Sequence, residues 1–193
     1  NYGRGALASD RARITLNNNS TRDLSGNNST GMLADFGDIT NTAGSFIKVT
    51  GEESVGIYAA NGSVTNNSGT INIENGGALS AADTSSGIYL NKNLALSNDG
   101  IINVSGNYSN GIRINSGSVT NKYVSGKAVN ILGTAADSTG IAVINSSSTG
   151  INNGKIVLTA TGGKNIGMYG TGGGTGNRIE NTGTNAEITM NIT

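Results

Sequence analysis

Few side chains in this chain can do covalent or metal chemistry, and their types narrow what that chemistry can be. His and Cys are absent from all 193 residues. Neither a Ser-His-Asp nor a Cys-His nucleophile can therefore be assembled, and zinc loses its imidazole and thiolate ligands. The notable acids are Glu52, Glu53, Asp83 and Asp137, each three or four residues ahead of a recurring glycine. Stacked along one edge, such carboxylates would suit Ca²⁺. Taken in pairs they would suit glycoside hydrolysis, which needs two carboxyl groups in a concave site. Their offsets differ, however, and Lys164 stands at the next equivalent position. Solvated corner charges are the expectation, with no catalytic residue, no metal ligand and no cofactor. The run Gly170-Thr171-Gly172-Gly173-Gly174-Thr175-Gly176 looks like a phosphate cradle but lacks a following Lys-Ser or Lys-Thr, and Asn177 breaks the calcium repeat Gly-Gly-x-Gly-x-Asp. A corner loop is expected there.

Binding, rather than catalysis, has better material. Two residues after each recurring glycine stand Leu33, Tyr58, Tyr89, Arg113, Ala142 and Tyr169. If these side chains share one outward column, Tyr58, Tyr89, Arg113 and Tyr169 are the candidate ligand contacts. Aromatic rings stack on sugars and a guanidinium adds hydrogen bonds. The plainer reading of the same column is cross-strand pairing that stabilises neighbouring strands. Two long corners, from Glu74 to Ser86 (with Gly76-Gly77-Ala78-Leu79) and from Gly170 to Asn177, are the other places where binding or neutral insertion is expected.

The elements that must position these residues announce themselves as a repeat. Gly56-Ile57-Tyr58 returns as Gly87-Ile88-Tyr89, Gly111-Ile112-Arg113, Gly140-Ile141-Ala142 and Gly167-Met168-Tyr169. Gly31-Met32-Leu33 and, more weakly, Gly5-Ala6-Leu7 fit the same frame, and the glycines follow at intervals of 26, 25, 31, 24, 29 and 27. Downstream of each glycine comes an Asn-bearing element: Ile39-Thr40-Asn41, Val64-Thr65-Asn66, Leu96-Ser97-Asn98, Val119-Thr120-Asn121, Gly150-Ile151-Asn152 and Ile179-Glu180-Asn181. A third element alternates apolar and polar residues: Ile71-Asn72-Ile73, Ile102-Asn103-Val104, Val129-Asn130-Ile131, Ile156-Val157-Leu158 and Ile188-Thr189-Met190.

Three period-2 strands per repeat describe one rung of a stack. Positions one and three after the glycine are apolar or small, so those columns point inward. Stacked rungs would lie about 4.8 Å apart with their ladder bonds made to neighbours. Asn at one corner would extend an amide-to-amide ladder up the stack. Asn-Gly pairs at Asn61-Gly62, Asn75-Gly76, Asn110-Gly111 and Asn153-Gly154 mark other corners, and the complete lack of Pro leaves every strand its donors. The expected fold is all-β, a right-handed parallel β-helix (β-solenoid) of about seven rungs with 24–31 residues each. Residues 1–30 are expected as an irregular N-terminal end or first partial rung, and residues 31–193 as β-helix repeats of a longer protein.

Composition agrees. Hydrophobic residues make up 35% of the chain, 31 residues are Gly, and the net charge is zero. Balanced charge argues against nucleic acid as a partner. No apolar run approaches the ~18 residues of a membrane span, so membrane insertion by this segment is not expected. The chain opens at Asn1 without Met or a signal pattern and reads as an internal or processed fragment.

The text Gly56-Ile57-Tyr58-Ala59-Ala60-Asn61-Gly62-Ser63-Val64-Thr65-Asn66-Asn67-Ser68-Gly69-Thr70-Ile71, echoed from Ser109-Asn110-Gly111-Ile112 to Gly117-Ser118-Val119-Thr120-Asn121, resembles the passenger regions of type V autotransporter adhesins. The resemblance is especially to the large fusobacterial-type outer-membrane autotransporters. The resemblance covers roughly residues 31–193. It implies a β-helical stalk outside a bacterial cell, anchored in the outer membrane by a C-terminal barrel this chain lacks. It also implies host-cell or interbacterial adhesion through surface glycans or proteins. The expected function is therefore a structural and adhesive stalk rather than an enzyme. The alternatives are a self-assembling extracellular fibre or surface-layer component joined through β-helix ends and, last, a carbohydrate-active β-helix enzyme.

Overall fold

The computed structural model describes all residues except 1–3, 9–14, 62–63, 75–83, 128, 146, 161, 172–175 and 192–193; for 4–8, 15–17, 64 and 93–94 it describes the backbone alone. It is an all-β parallel solenoid, with no helix among the described residues. Among the described residues, nineteen strands fall into three stacked series. The first contains β1 (Arg4–Ala8), β4 (Thr30–Asp35), β7 (Val55–Ala60), β10 (Ser86–Asn98), β12 (Asn110–Asn121), β14 (Thr139–Val143) and β17 (Ile166–Gly170). The second runs through β2 (Thr15–Asn18), β5 (Asp38–Asn41), β8 (Val64–Asn67), the later halves of β10 and β12, β15 (Thr149–Asn152) and β18 (Arg178–Asn181). The third is a separate seven-stranded sheet of β3 (Thr21–Leu24), β6 (Phe46–Val49), β9 (Thr70–Ile73), β11 (Ile101–Val104), β13 (Ile131–Gly133), β16 (Lys155–Leu158) and β19 (Glu187–Met190).

Strands neighbouring in space are one circuit apart in sequence and parallel throughout, so side chains of like position stack. Met32, Ile57, Ile88, Ile112 and Ile141 align in one register column, and all five are fully buried. Ala34, Ala59, Leu90, Ile114 and Val143 form the second inward column. Across the interior, Ile47, Ile71, Ile102, Ile131 and Ile156 face them from the third sheet. Burying one such aliphatic contributes about 1.5–3 kcal/mol, and a rung gains this only when another rung covers it.

The recurring glycine has a steric cause. A Cβ on Gly56 would lie 2.7 Å from the carbonyl oxygen of Gly87 and 2.9 Å from Cγ2 of Ile71. Gly87 meets Gly111 and Ile102 in the same way, and Gly111 meets Gly140 and Ile131. Backbone and opposing isoleucine together occupy the space a side chain would need.

Corners close with polar side chains, buried in every case but Asn181. Asn18, Asn41, Asn67, Asn98, Asn121, Asn152 and Asn181 form a continuous line in which each Nδ2 donates to the Oδ1 of the following residue, at 2.6–2.8 Å. A second corner is a column of buried residues, Ser29, Ser54, Ser85, Ser109 and Ser138, continued by Asn165. There the Ser29 amide donates to Oγ of Ser54, and the Ser54 amide to Oγ of Ser85.

Two strands depart from the expected register. Asn67, not Asn66, joins the amide line, and Thr65 takes the inward place expected for Val64, which instead pairs with Ala95. Asn66-Asn67 offers an amide in either register, and the apolar pattern favours turning Val64 inward. The corner decides. Asn67-Ser68-Gly69-Thr70-Ile71 matches Asn98-Asp99-Gly100-Ile101-Ile102 step for step. A Cβ on Gly69 would come within 2.6 Å of both Nδ2 of Asn41 and Oγ of Ser45. A one-residue slip would put Ser68 into that place, so turn geometry sets the register. The hydroxyl of Thr65 is left buried without a partner.

The second departure is Val129-Asn130-Ile131. Ile131, not Val129, aligns with Ile102, so the strand is Ile131–Gly133. Asn130 is buried rather than outward because its Oδ1 accepts the Lys155 amide at 3.0 Å. Gly133 takes the inward place of Val104, and a Cβ there would sit 2.5 Å from Cδ2 of Leu158, which fills the gap.

Candidate functional site: a groove beside the tyrosine–arginine column

The register places Leu33, Tyr58, Tyr89, Arg113, Ala142 and Tyr169 in one line on the first series of strands. Parallel in-register stacking puts like positions one rung spacing apart, close enough for rings to touch. Tyr58 and Tyr89 meet edge to face, with centroids 5.3 Å apart and planes at 82°. The Arg113 guanidinium carbon lies 5.1 Å from the centre of the Tyr89 ring. The phenol of Tyr58 accepts from Nδ2 of Asn91 at 2.7 Å, which fixes one end of the line. Burial raises the Tyr89 pKa; the Arg113 charge opposes that rise and Tyr58 adds to it.

Tyr169 lies in the same column, but Ala142 stands between it and Arg113. Of the four candidate contacts, three therefore touch in series and the fourth is set apart by one small residue. That gap is the opening of a groove.

The groove's other wall comes from the corner just before the serine column. Asn28, Glu53, Tyr108 and Asp137, each immediately before a corner serine, have φ of 56°, 53°, 54° and 54°. Thr84 and Lys164 hold the same place before Ser85 and Asn165. A left-handed residue turns the chain sharply and projects its side chain from the corner toward the outward column. Between corner and column lie two hollows. One of about 540 Å³ is lined by Thr84, Tyr108, Arg113, Asp137, Ala142, Lys164 and Tyr169 among others; one of about 190 Å³ is lined by Glu53, Thr84, Tyr89 and Arg113 among others. Thr84 and Arg113 belong to both, so the hollows follow one another along the stack. Arg113 Nη1 donates to Oγ1 of Thr84 at 3.4 Å, as Asn110 Nδ2 does at 2.9 Å.

The carboxylates do not form a row. Glu53 and Asp137 share the corner position but are separated there by Thr84 and Tyr108, and Oδ1 of Asp137 accepts the Lys164 amide at 2.8 Å. Glu52 faces Asn27 along the same corner at 3.4 Å. Asp83, most of the corner from Glu74 to Ser86, Gly76 and the centre of the Gly170–Asn177 corner lie outside the described residues. Among the described residues, no cluster of three or more metal-ligating side chains occurs.

Thr84, Tyr108 and Lys164 as groove walls were not anticipated from sequence as binding residues. Their shared signal is position, one residue ahead of a buried Ser or Asn, and not residue type.

Fold and site together define a parallel β-solenoid with a grooved side that carries aromatic and charged residues. Compared with protein-family models, with curated proteins and with solved structures, the chain matches none.

Proposed function

We propose that this chain is a non-enzymatic stalk segment of a secreted bacterial autotransporter passenger, displayed at the cell surface, whose grooved side contacts a glycan or protein of a host or neighbouring cell. The observation that carries this reading is the in-register stacking of the described rungs, because it lines corner and outward column up along one side, where two hollows follow one another. The resemblance of residues 31–193 to such passengers supplies the cellular setting, and the absence of His and Cys removes the commonest catalytic bases and nucleophiles. The test is protease shaving of intact bacteria that make the parent protein. Peptides of this chain should be released without lysis; their recovery only after lysis would overturn the reading.

A second reading, end-to-end stacking into a fibre, draws on one observation. In the rung of β17, β18 and β19, Ile179 and Met190, which continue inward columns, are exposed, and Ile188 is only partly buried. Such an edge is covered by another rung, of the same chain or of a second copy. Sedimentation that shows concentration-dependent growth favours the second copy, and a constant monomer rejects it.

A further inference from the structure

We propose that the hollow between Arg113 and Tyr169 is a binding site for an acidic saccharide, one sugar ring bearing a carboxylate or sulfate and seated over Ala142. The inference rests on the surface-contact reading above and narrows its ligand.

Shape comes first. Arg113, Ala142 and Tyr169 occupy consecutive rungs of one outward column, so Arg113 and Tyr169 stand two spacings apart, about 10 Å. The small residue between them, itself only 4% exposed, forms the floor of a slot between those two side chains. The slot opens into the 540 Å³ hollow, closed on its far side by the corner residues Tyr108 and Lys164.

Charge comes second. Arg113 and Lys164 both line the hollow, and among the described residues neither has a carboxylate within ion-pair distance. Arg113 makes one long hydrogen bond, to Thr84, and lies against the Tyr89 ring. That leaves most of its donor fork unused. The acid in the hollow, Asp137, is engaged by the Lys164 backbone amide rather than by either cation. Two cations against the one carboxylate of Asp137 leave the recess one net positive charge, which favours an anion, and a guanidinium grips a planar carboxylate or a sulfate through paired bonds.

Polarity comes third. The remaining wall mixes exposed Tyr169 and Ile166 with hydroxyls and an amide, including Thr139 and Asn110. An aromatic face beside fixed hydroxyls suits a ligand with a C–H face and many O–H groups. The chain's zero net charge gives no basic track for a polyphosphate backbone. The shared residues Thr84 and Arg113 carry the groove on to the 190 Å³ hollow beside Tyr89 and Glu53, where a neighbouring sugar of the same oligosaccharide would lie.

The test uses the full chain and three probes: sialyllactose, a chondroitin sulfate oligosaccharide, and lactose as the neutral counterpart. Binding is followed by tyrosine fluorescence, with backbone NMR shifts to locate it, and each variant's melting is measured alongside. Both acidic probes should bind and shift the amides of Thr84 and Ala142, while lactose binds at least about tenfold more weakly. Arg113→Gln and Lys164→Gln should each weaken the acidic probes by about tenfold. Ala142→Leu should block them while both charges remain, and Asn66→Ala, an exposed position of the second series that lines neither hollow, should change nothing. Equal binding of lactose, unchanged affinity in both charge variants, shifts confined to another face, or no binding of either acidic probe would each overturn the proposal. Equal binding of lactose would leave a glycan-contacting surface intact, and failure of cell-surface shaving would remove the setting without touching the site.

Discussion

Replacing Asn98 with Ala tests the amide line at its centre. Asn98 is fully buried; it accepts from Nδ2 of Asn67 at 2.7 Å and donates to Oδ1 of Asn121 at 2.6 Å. Removing it strands one buried donor and one buried acceptor. Each costs about 1–3 kcal/mol, so the expected loss is about 2–6 kcal/mol. For a chain of this size that is a fall in Tm of roughly 4–24 °C. Asn66→Ala is the control, since that side chain is exposed and should change stability by no more than about 0.5 kcal/mol. Asn98→Asp separates shape from hydrogen bonding. A carboxylate keeps the outline but turns an acceptor toward Oδ1 of Asn121, whereas the protonated acid can donate there. Burial and that facing oxygen raise the folded pKa above the unfolded value. The deficit against the parent is therefore full above the folded pKa and shrinks as pH falls through it. Far-UV circular dichroism melts read all three variants. If Asn98→Ala melts with Asn66→Ala, or if Asn98→Asp gains nothing on acidification, the line of amides does not hold the stack together.

Thr65→Val should raise stability by about 1 kcal/mol in the same melts, because it replaces a buried, unpartnered hydroxyl with a methyl in the column of Ile39, Leu96 and Val119. Gly87→Ala should cost about 1–3 kcal/mol, since its Cβ would lie 2.6 Å from the Gly111 carbonyl oxygen and 2.7 Å from Ile102; urea titration reads the loss. The Tyr89 phenol should hold its proton above the ordinary tyrosine value, chiefly through burial. Its folded pKa is raised, so its contribution to stability is complete below the unfolded value and disappears as pH rises through the folded one. In a phenolate absorbance titration, Tyr89→Phe should remove a component that titrates above that ordinary value.

The parts of the fold that could be read in advance are those where one side chain type is required at one place. Only glycine fits between the next rung's carbonyl and an opposing isoleucine, so Gly56, Gly87, Gly111 and Gly140 recur and set the frame. Inward Ile57, Ile88, Ile112 and Ile141 follow from it. Legibility failed where two neighbouring residues could each do the job. Asn66 and Asn67 are chemically identical, and the choice between them was made three-dimensionally, by the room under Gly69. Val129 and Ile131 both suit an inward place, and Asn130's bond to the Lys155 amide decided which took it. The tyrosine–arginine column was visible because strands carry a regular period. Its companion wall was not, because Asn28, Glu53, Thr84, Tyr108, Asp137 and Lys164 share a backbone place and no chemistry.

Every amide from Asn18 to Asn152 hands its hydrogen the same way along the rod, and the Asn18 oxygen is met at 3.1 Å by Nε of Arg22. The dipoles therefore add head to tail and polarise one another, giving the solenoid an electrical sense as well as a chain direction. Asn181 takes a hydrogen of Asn152 on its oxygen, so in the geometry of the rest of the line it turns its nitrogen toward a further rung. Whatever is laid against it must arrive oxygen first, and a rung presented the other way round meets a like pole.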